Sequence, residues 1–295
     1  MNEAWAAQSE RGIPAVTRFM VWYVLTLGRG AGRILLGPIA LYFVIFSTKA
    51  SAASRQYLAR VFGRRPSFTE VLRHYYTFST TIMDRVFFLT DRFDRLDITV
   101  TGDQHLDALS MQDKGCLLLG SHLGSFEALR SLGANKKGVP VKALYYEHNS
   151  QMLDKIFERL NPGIADQLIP LGTPAAMIAA NDFVGKGGFV GVLGDRLFAD
   201  GSAVEVEFFG QPAPFPVWPM RLIGVMQVPV FLFFALHKGG RKYEITFEPF
   251  VTGPVNPRNE EELRDLITRY AARVEHYCRD APYNWFNFYD FWNAA

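Results

Sequence analysis

Apolar and polar positions change period along this chain, and the changes mark its elements. Two apolar runs come first, residues 19–27 (FMVWYVLTL) and 34–46 (ILLGPIALYFVIF), separated by GRGAGR. Neither reaches the roughly 20 residues that cross a bilayer comfortably. Aromatic residues at the run ends, with Arg29, Arg33, Lys49, Arg55 and Arg60 suited to anionic headgroups, favour a membrane anchor that inserts shallowly, re-enters or spans with strain over a buried helix pair of the core. From Thr69 to Phe88 the apolar positions recur at helical spacing behind Ser67 as cap. Ile98 and Val100 alternate with polar neighbours like an edge strand, and a short helix is expected over residues 104–111.

A run of strands and helices follows. Residues 116–119 (CLLL) form an apolar strand that enters a Gly-rich turn, with a helix expected from Gly124 or Ser125. Strands are expected at 139–146, 167–171 and 189–193, with helices over 149–160 and 174–184 between them. Strands alternating with helices of about ten residues predict an α/β fold with a largely parallel central sheet flanked by helices. Residues 205–210 (EVEFFG) read as a strand and turn, and the Pro-rich stretch 212–222 leads into an apolar helix ending near Met226. Residues 229–236 (PVFLFFAL) are apolar throughout, the signature of a strand buried on both faces. Residues 243–247 alternate. Residues 260–278 place Leu263, Leu266, Ile267, Tyr270, Val274 and Tyr277 on one helical stripe, with Asn259 as cap and Glu262 at the third position. The tail PYNWFNFYDFW carries seven aromatics in eleven residues, either a strap over the core or a lipid-facing band.

Composition narrows the class. The chain has 295 residues, 49% hydrophobic and 14% aromatic, enough for one large domain with an appendage. We divide it into an N-terminal hydrophobic membrane anchor, residues 1–55, and a catalytic domain, 56–295. Mean hydropathy is +0.03, between a soluble enzyme and a multi-span membrane protein. The charge balance, 31 basic against 29 acidic residues, argues against nucleic acid as a partner. Cys116 and Cys278 have no metal-ligand spacing and are expected as reduced core residues. No metal site is expected.

The chemistry concentrates at SHLGSFE. His122 lies in the turn after a strand, where open α/β sheets place ligands. On a continuous helix Glu127 would stand about 140° away from it. With His122 in the turn and Glu127 in the first helical turn, the carboxylate is expected to reach back and orient the imidazole as a general base. The GDR cluster, with Asp195 and Arg196, follows another strand and is expected to share the cleft. A hydrolase using Ser121 or Ser125 is the rival enzyme, opposed by the lack of a G-x-S-x-G elbow and by adjacent side chains pointing to opposite faces. A non-catalytic lipid-binding protein is the rival outside enzymology.

SHLGSFE, then GDR about seventy residues on, FFG with prolines, Arg221-Leu222 and PYNWF together resemble the lysophospholipid acyltransferase superfamily, most closely the late acyltransferases of lipid A biosynthesis. The resemblance implies a glycerol-3-phosphate acyltransferase-like fold. It also implies transfer of a fatty acyl group from acyl carrier protein, or less often coenzyme A, to a hydroxyl of a lipid acceptor at the cytoplasmic face of the inner membrane. It gives His122 the base role and Glu127 the orienting role, and matches Asp195 to the acid of the second box. Two stretches depart from the lipid A pattern, ERLNPGIAD and the FNFYDFW tail, which leaves aryl polyene and ornithine lipids open as acceptors. An acyl thioester is already activated, so no cofactor is expected. The amides of Gly124 and Ser125 are candidates for the oxyanion, Arg196 or Arg221 for an acceptor phosphate, with a surface salt bridge as the alternative for either arginine. Arg130, Lys136, Lys137 and Lys142 are expected to dock the acidic carrier protein.

Overall fold

Strands that are apolar at every position lie mid-sheet, where helices cover both faces. The computed structural model describes residues 14–129, 140–145, 160, 162–171, 173–197 and 201–293. Its strands are β1 (Asp97–Thr101), β2 (Cys116–Gly120), β3 (Val141–Tyr145), β4 (Leu168–Pro170), β5 (Phe189–Leu193), β6 (Ala203–Phe208), β7 (Gln211–Pro216), β8 (Val230–Gly239) and β9 (Lys242–Val251). A seven-stranded sheet runs β1-β9-β8-β2-β5-β3-β4. Every pairing is parallel except β8 with β9, so β1 and β9 run opposite to the rest. β2 is buried at all five residues, and β8 is buried from Val230 through His237. The fold is therefore the expected α/β architecture with a mostly parallel sheet and an apolar N-terminal helix.

The helices are α1 (Pro14–Phe46), α2 (Thr48–Phe62), α3 (Phe68–Leu89), α4 (Asp103–Ser110), α5 (Pro174–Gly185), α6 (Trp218–Met226) and α7 (Glu260–Asp280). Local signals account for their ends. Ser67 accepts from the Glu70 amide while the Glu70 carboxylate accepts from the Ser67 amide, a capping box that starts α3. Asn259 accepts from the amides of Glu261 and Glu262 at the start of α7. The division after residue 55 lies inside α2.

Two expectations change. Where a helix is expected from Ser125, the chain makes a 3₁₀ turn, Phe126–Leu129. The first part of the Pro-rich stretch is strand β7, paired with β6 in a two-stranded hairpin outside the main sheet, and its second part opens α6, the expected helix to Met226. Prolines are tolerated in the hairpin because such strands have an edge that needs no amide donor. The connecting residues Phe209 and Gly210 both take positive φ, 52° and 73°, the backbone of a tight hairpin turn. The helix expected over 149–160 lies, except for Leu160, outside the described residues.

The two apolar N-terminal runs form α1, broken at Gly28 (φ 85°, ψ 170°), a conformation glycine adopts readily. Its inner face joins the core through Val24, Leu36, Ala40 and Val44. Its outer face leaves Phe19, Trp22, Leu27, Ile34, Leu41, Tyr42, Ile45 and Phe46 exposed. By length and composition, the stretch Arg18–Phe46 suffices to cross a membrane. Arg29, expected at headgroups, is instead buried. Its Nε and Nη2 donate to the two oxygens of Asp84 on α3, each at 2.7 Å, and the Tyr243 hydroxyl on β9 donates to the same carboxylate at 2.8 Å. A fork-on-fork pair inside the protein satisfies both charges, which open headgroup contact would not do for Asp84. Of the other basic residues, Lys49 and Arg55 stay exposed, while Arg60 lies 4.0 Å over the Trp292 ring.

Removing one partner of a buried ion pair strands the other charge, at a cost of about 3–5 kcal/mol. Asp84→Asn is therefore expected to lower the melting temperature markedly, read by thermal unfolding in detergent. An unchanged melting temperature would show that the pair does not hold α1 to the domain.

Candidate active site

Sheet register sets the site. β2 and β5 are parallel neighbours with Gly120 opposite Leu193. His122 lies two residues beyond Gly120, and Asp195 lies two residues beyond Leu193. Neighbouring strands stand about 4.8 Å apart, so the two side chains emerge side by side at the carboxyl end of the sheet. The imidazole Nδ1 and the Asp195 carboxylate are 2.7 Å apart.

Asp195 has no exposed side-chain surface, and His122 keeps 24% of its own. The carboxylate accepts from the His122 backbone amide (3.0 and 3.1 Å), the Trp285 indole (3.1 Å) and the Asn287 side-chain amide (2.8 Å) as well as from the imidazole. Burial alone would raise its pKa. The His122 imidazole, Arg196 and Asn287 outweigh burial and hold the carboxyl down at about 2. An ionised carboxylate can only accept, so Nδ1 carries the proton and Nε2 keeps its lone pair. Burial first, then Arg196 and, more weakly, Arg85, pull the His122 pKa below the ordinary histidine value, against the opposing pull of Asp195. The imidazole is therefore neutral at neutral pH, with a basic nitrogen available at Nε2.

The turn is clamped on both sides. Gly124 takes φ 81°, and a Cβ there would lie 1.8 Å from the Ala235 carbonyl oxygen of β8. Only glycine fits, in conformation and in space. The Gly124 amide donates to the Asn284 carbonyl, the Ser125 amide to the Ala235 carbonyl, and the Phe286 amide to the His122 carbonyl. Asn284 in turn makes two hydrogen bonds to the His237 backbone. The Trp285 carbonyl accepts from Nε2 of the buried His74, whose pKa burial pushes down to about 4. The aromatic tail is thus a strap that touches the site through the Trp285 indole, the Phe286 amide and the Asn287 side chain.

Sequence-chosen residues fare differently here. His122 and Asp195 meet. Glu127 is not the partner of the imidazole: its carboxylate forms an ion pair with Arg85 Nε at 2.9 Å and accepts from the Ser125 hydroxyl at 3.3 Å. The 3₁₀ turn accounts for this, since it carries Glu127 toward α3 while the imidazole faces β5. Because the amides of Gly124 and Ser125 already have carbonyl partners, neither is placed to receive an oxyanion. Arg196 sits at the site, donating to the Asn287 side chain (2.8 Å) and the Phe286 carbonyl (3.1 Å). Arg221 forms an exposed salt bridge with Glu260 at 2.9 Å. Lys142 lies on β3 with its Nζ 5.0 Å over the Phe183 ring, while Arg130, Lys136 and Lys137 fall outside the described residues. Neither Ser121 nor Ser125 hydrogen bonds the imidazole. Among the described residues, no group of His, Cys, Asp and Glu is assembled that could hold a metal ion.

Sequence reasoning missed Arg85, Trp285 and Asn287. The signal for the last two was present: asparagines interleaved in an aromatic run need buried hydrogen-bond partners.

The family model described as bacterial lipid A biosynthesis acyltransferase matches residues 11–293. No curated protein matches the chain.

The Asp195 carboxylate raises the His122 pKa, so its removal should lower it. Asp195→Asn is expected to reduce kcat by about 10²–10⁴-fold, as loss of an orienting carboxylate does in related dyads and triads. It should also move the acid limb of the rate profile to lower pH. The check is a kcat/KM profile against pH; an unmoved acid limb would break the link between the two groups.

Proposed function

The chain belongs to the bacterial lipid A biosynthesis acyltransferase family and is an acyltransferase; from that premise we propose that it moves a fatty acyl chain from the thioester of acyl carrier protein to a hydroxyl of a lipid A precursor or related glycolipid. The carrying observation is the imidazole of His122, fixed through Nδ1 by Asp195 and partly exposed at the carboxyl ends of β2 and β5. The thioester is activated on arrival, so the protein must hold both reactants, take a proton and stabilise charge. The acceptor oxygen attacks the thioester carbonyl carbon while its proton passes to Nε2 of His122. The tetrahedral intermediate then collapses, the carbon–sulfur bond breaks, and His122 returns the proton to the leaving sulfur. An ester and a free thiol result, with the enzyme unchanged. Coenzyme A is the alternative donor, and no resident cofactor is needed.

The exposed outer face of α1 supports a place in the inner membrane on its cytoplasmic side, where a lipid acceptor and a soluble carrier protein meet. α1 is bound to the domain from Val24 to Val44, which favours lying along the bilayer surface with its apolar flank immersed. Lys142 with Arg130, Lys136 and Lys137 is the proposed docking patch for the acidic carrier.

Three outcomes test this. Purified protein in detergent, given labelled acyl carrier protein or coenzyme A thioesters and a panel of extracted lipids, is expected to label a glycolipid. His122→Ala should lower turnover by about 10²–10⁴-fold, the usual contribution of a general base. Wild-type turnover in that variant would overturn the mechanism. On fractionation without detergent, the full-length protein is expected with the membranes; full recovery in the soluble fraction would contradict the placement of α1.

A further inference from the structure

The acyl-transfer reading leaves one position unfilled. When the acceptor hydroxyl adds to the thioester, the carbonyl π electrons move onto oxygen and an oxyanion forms close to Nε2 of His122. The amides of the turn that would ordinarily receive it are engaged: His122 donates to Asp195, Gly124 to Asn284 and Ser125 to Ala235.

Arg85 stands beside this turn. It lies on α3 seven residues after Phe78, two helical turns along the same face. Phe78 packs on the Phe286 ring at 5.2 Å, and the Phe286 amide donates to the His122 carbonyl. The face of α3 carrying Arg85 therefore covers the residues next to the base. Glu127, three residues beyond Gly124, holds the guanidinium through Nε at 2.9 Å. That buried Nε is held by this ion pair and makes no hydrogen bond among the described residues. Glu127 itself is braced by the Ser125 hydroxyl. The result is a cation fixed to the catalytic turn by a carboxylate through its buried Nε, with about a quarter of its side-chain surface exposed. Unsatisfied buried donors in native proteins call for an explanation.

We propose that Arg85, tethered by Glu127, is a catalytic residue whose guanidinium receives the oxyanion formed on the acyl carbonyl oxygen. The inference rests on the acyltransferase reading above. It assigns the glutamate of the His-x4-Glu pattern to holding the arginine, and leaves orientation of the imidazole to Asp195. In the step, the acceptor O–C bond forms, the acceptor proton goes to His122, and the negative charge on the carbonyl oxygen faces Arg85. Collapse returns that pair to the C=O bond, expels the sulfur and takes the proton back from His122. An electrostatic donor of this kind acts only as charge develops, so its loss is felt in kcat.

The experiment compares Arg85→Gln, Arg85→Lys, Glu127→Gln and the double variant Arg85→Gln/Glu127→Gln, with His122→Ala as control. Loss of one oxyanion donor typically lowers kcat about 10²–10³-fold, and Arg85→Gln is expected to do so with little change in the KM for the acyl donor. Arg85→Lys should recover part of the loss. Arg85 is one of the cations lowering the His122 pKa, so Arg85→Gln should also move the acid limb to higher pH, which a purely structural role would not do. Glu127→Gln should be nearly silent in the Arg85→Gln background, because the two act as one unit. Three results would overturn the proposal: full kcat in Arg85→Gln, a rise in KM alone, or a large further loss from Glu127→Gln in the double variant. Should Arg85→Gln fail to fold, Glu127→Gln with wild-type kcat and an unmoved acid limb is equally decisive against it. A dead His122→Ala beside a fully active Arg85→Gln sinks this inference alone, whereas an active His122→Ala sinks the base mechanism beneath it.

Discussion

A carboxylate with no exposed surface must be given donors, and Asp195 takes them from separate parts of the chain. The turn after β2 supplies an amide and an imidazole; the C-terminal tail supplies an indole and a side-chain amide. Leaving such a charge buried without them would cost several kcal/mol. The turn and the tail are consequently held together by one need. The strap cannot lift without exposing or orphaning Asp195, and the imidazole cannot swing without losing its partner. Asn287 extends the arrangement to Arg196, since its oxygen can only accept and its nitrogen can only donate. That single orientation satisfies a cation and an anion at once.

Periodicity made the sheet legible. Runs that are apolar at every position became central strands, and alternating ones became β1 and β9, because burial on one or two faces is written directly in the pattern. The 3₁₀ turn after Ser125 was not legible, since its length depends on docking against β8 at Ala235 rather than on local propensity. The strand character of residues 211–216 was hidden by prolines, which edge positions tolerate and central ones do not. Arg29 shows the same limit more sharply. Locally it is a basic residue between apolar runs. Only the approach of α3 and β9 reveals that Asp84 and Tyr243 surround it.

The site was half legible for a related reason. Spacing along the chain is visible at five residues, so Glu127 presents itself as the partner of His122. Asp195 is 73 residues away, and what brings it close is the register of two parallel strands. Once Gly120 stands opposite Leu193, equal offsets beyond the strand ends put the base and the acid together whatever the intervening sequence. The family resemblance pointed to His122, Glu127 and Asp195 together, while which of them pair needed the sheet.

The charges around His122 pull in opposite directions, and the proposed acyl transfer would use both pulls. In the first step of the proposed mechanism the imidazole would take a proton and become a cation; Asp195, whose pKa is held at about 2, favours that state. In the proposed second step the same proton would leave for the sulfur. Burial, Arg196 and Arg85 all disfavour the imidazolium and so favour its release. A carboxylate alone would trap the proton, and cations alone would prevent its uptake. Holding the imidazole between them keeps the affinity of Nε2 low at neutral pH, which would let it begin each turnover of the proposed mechanism as a base and end the next step as an acid.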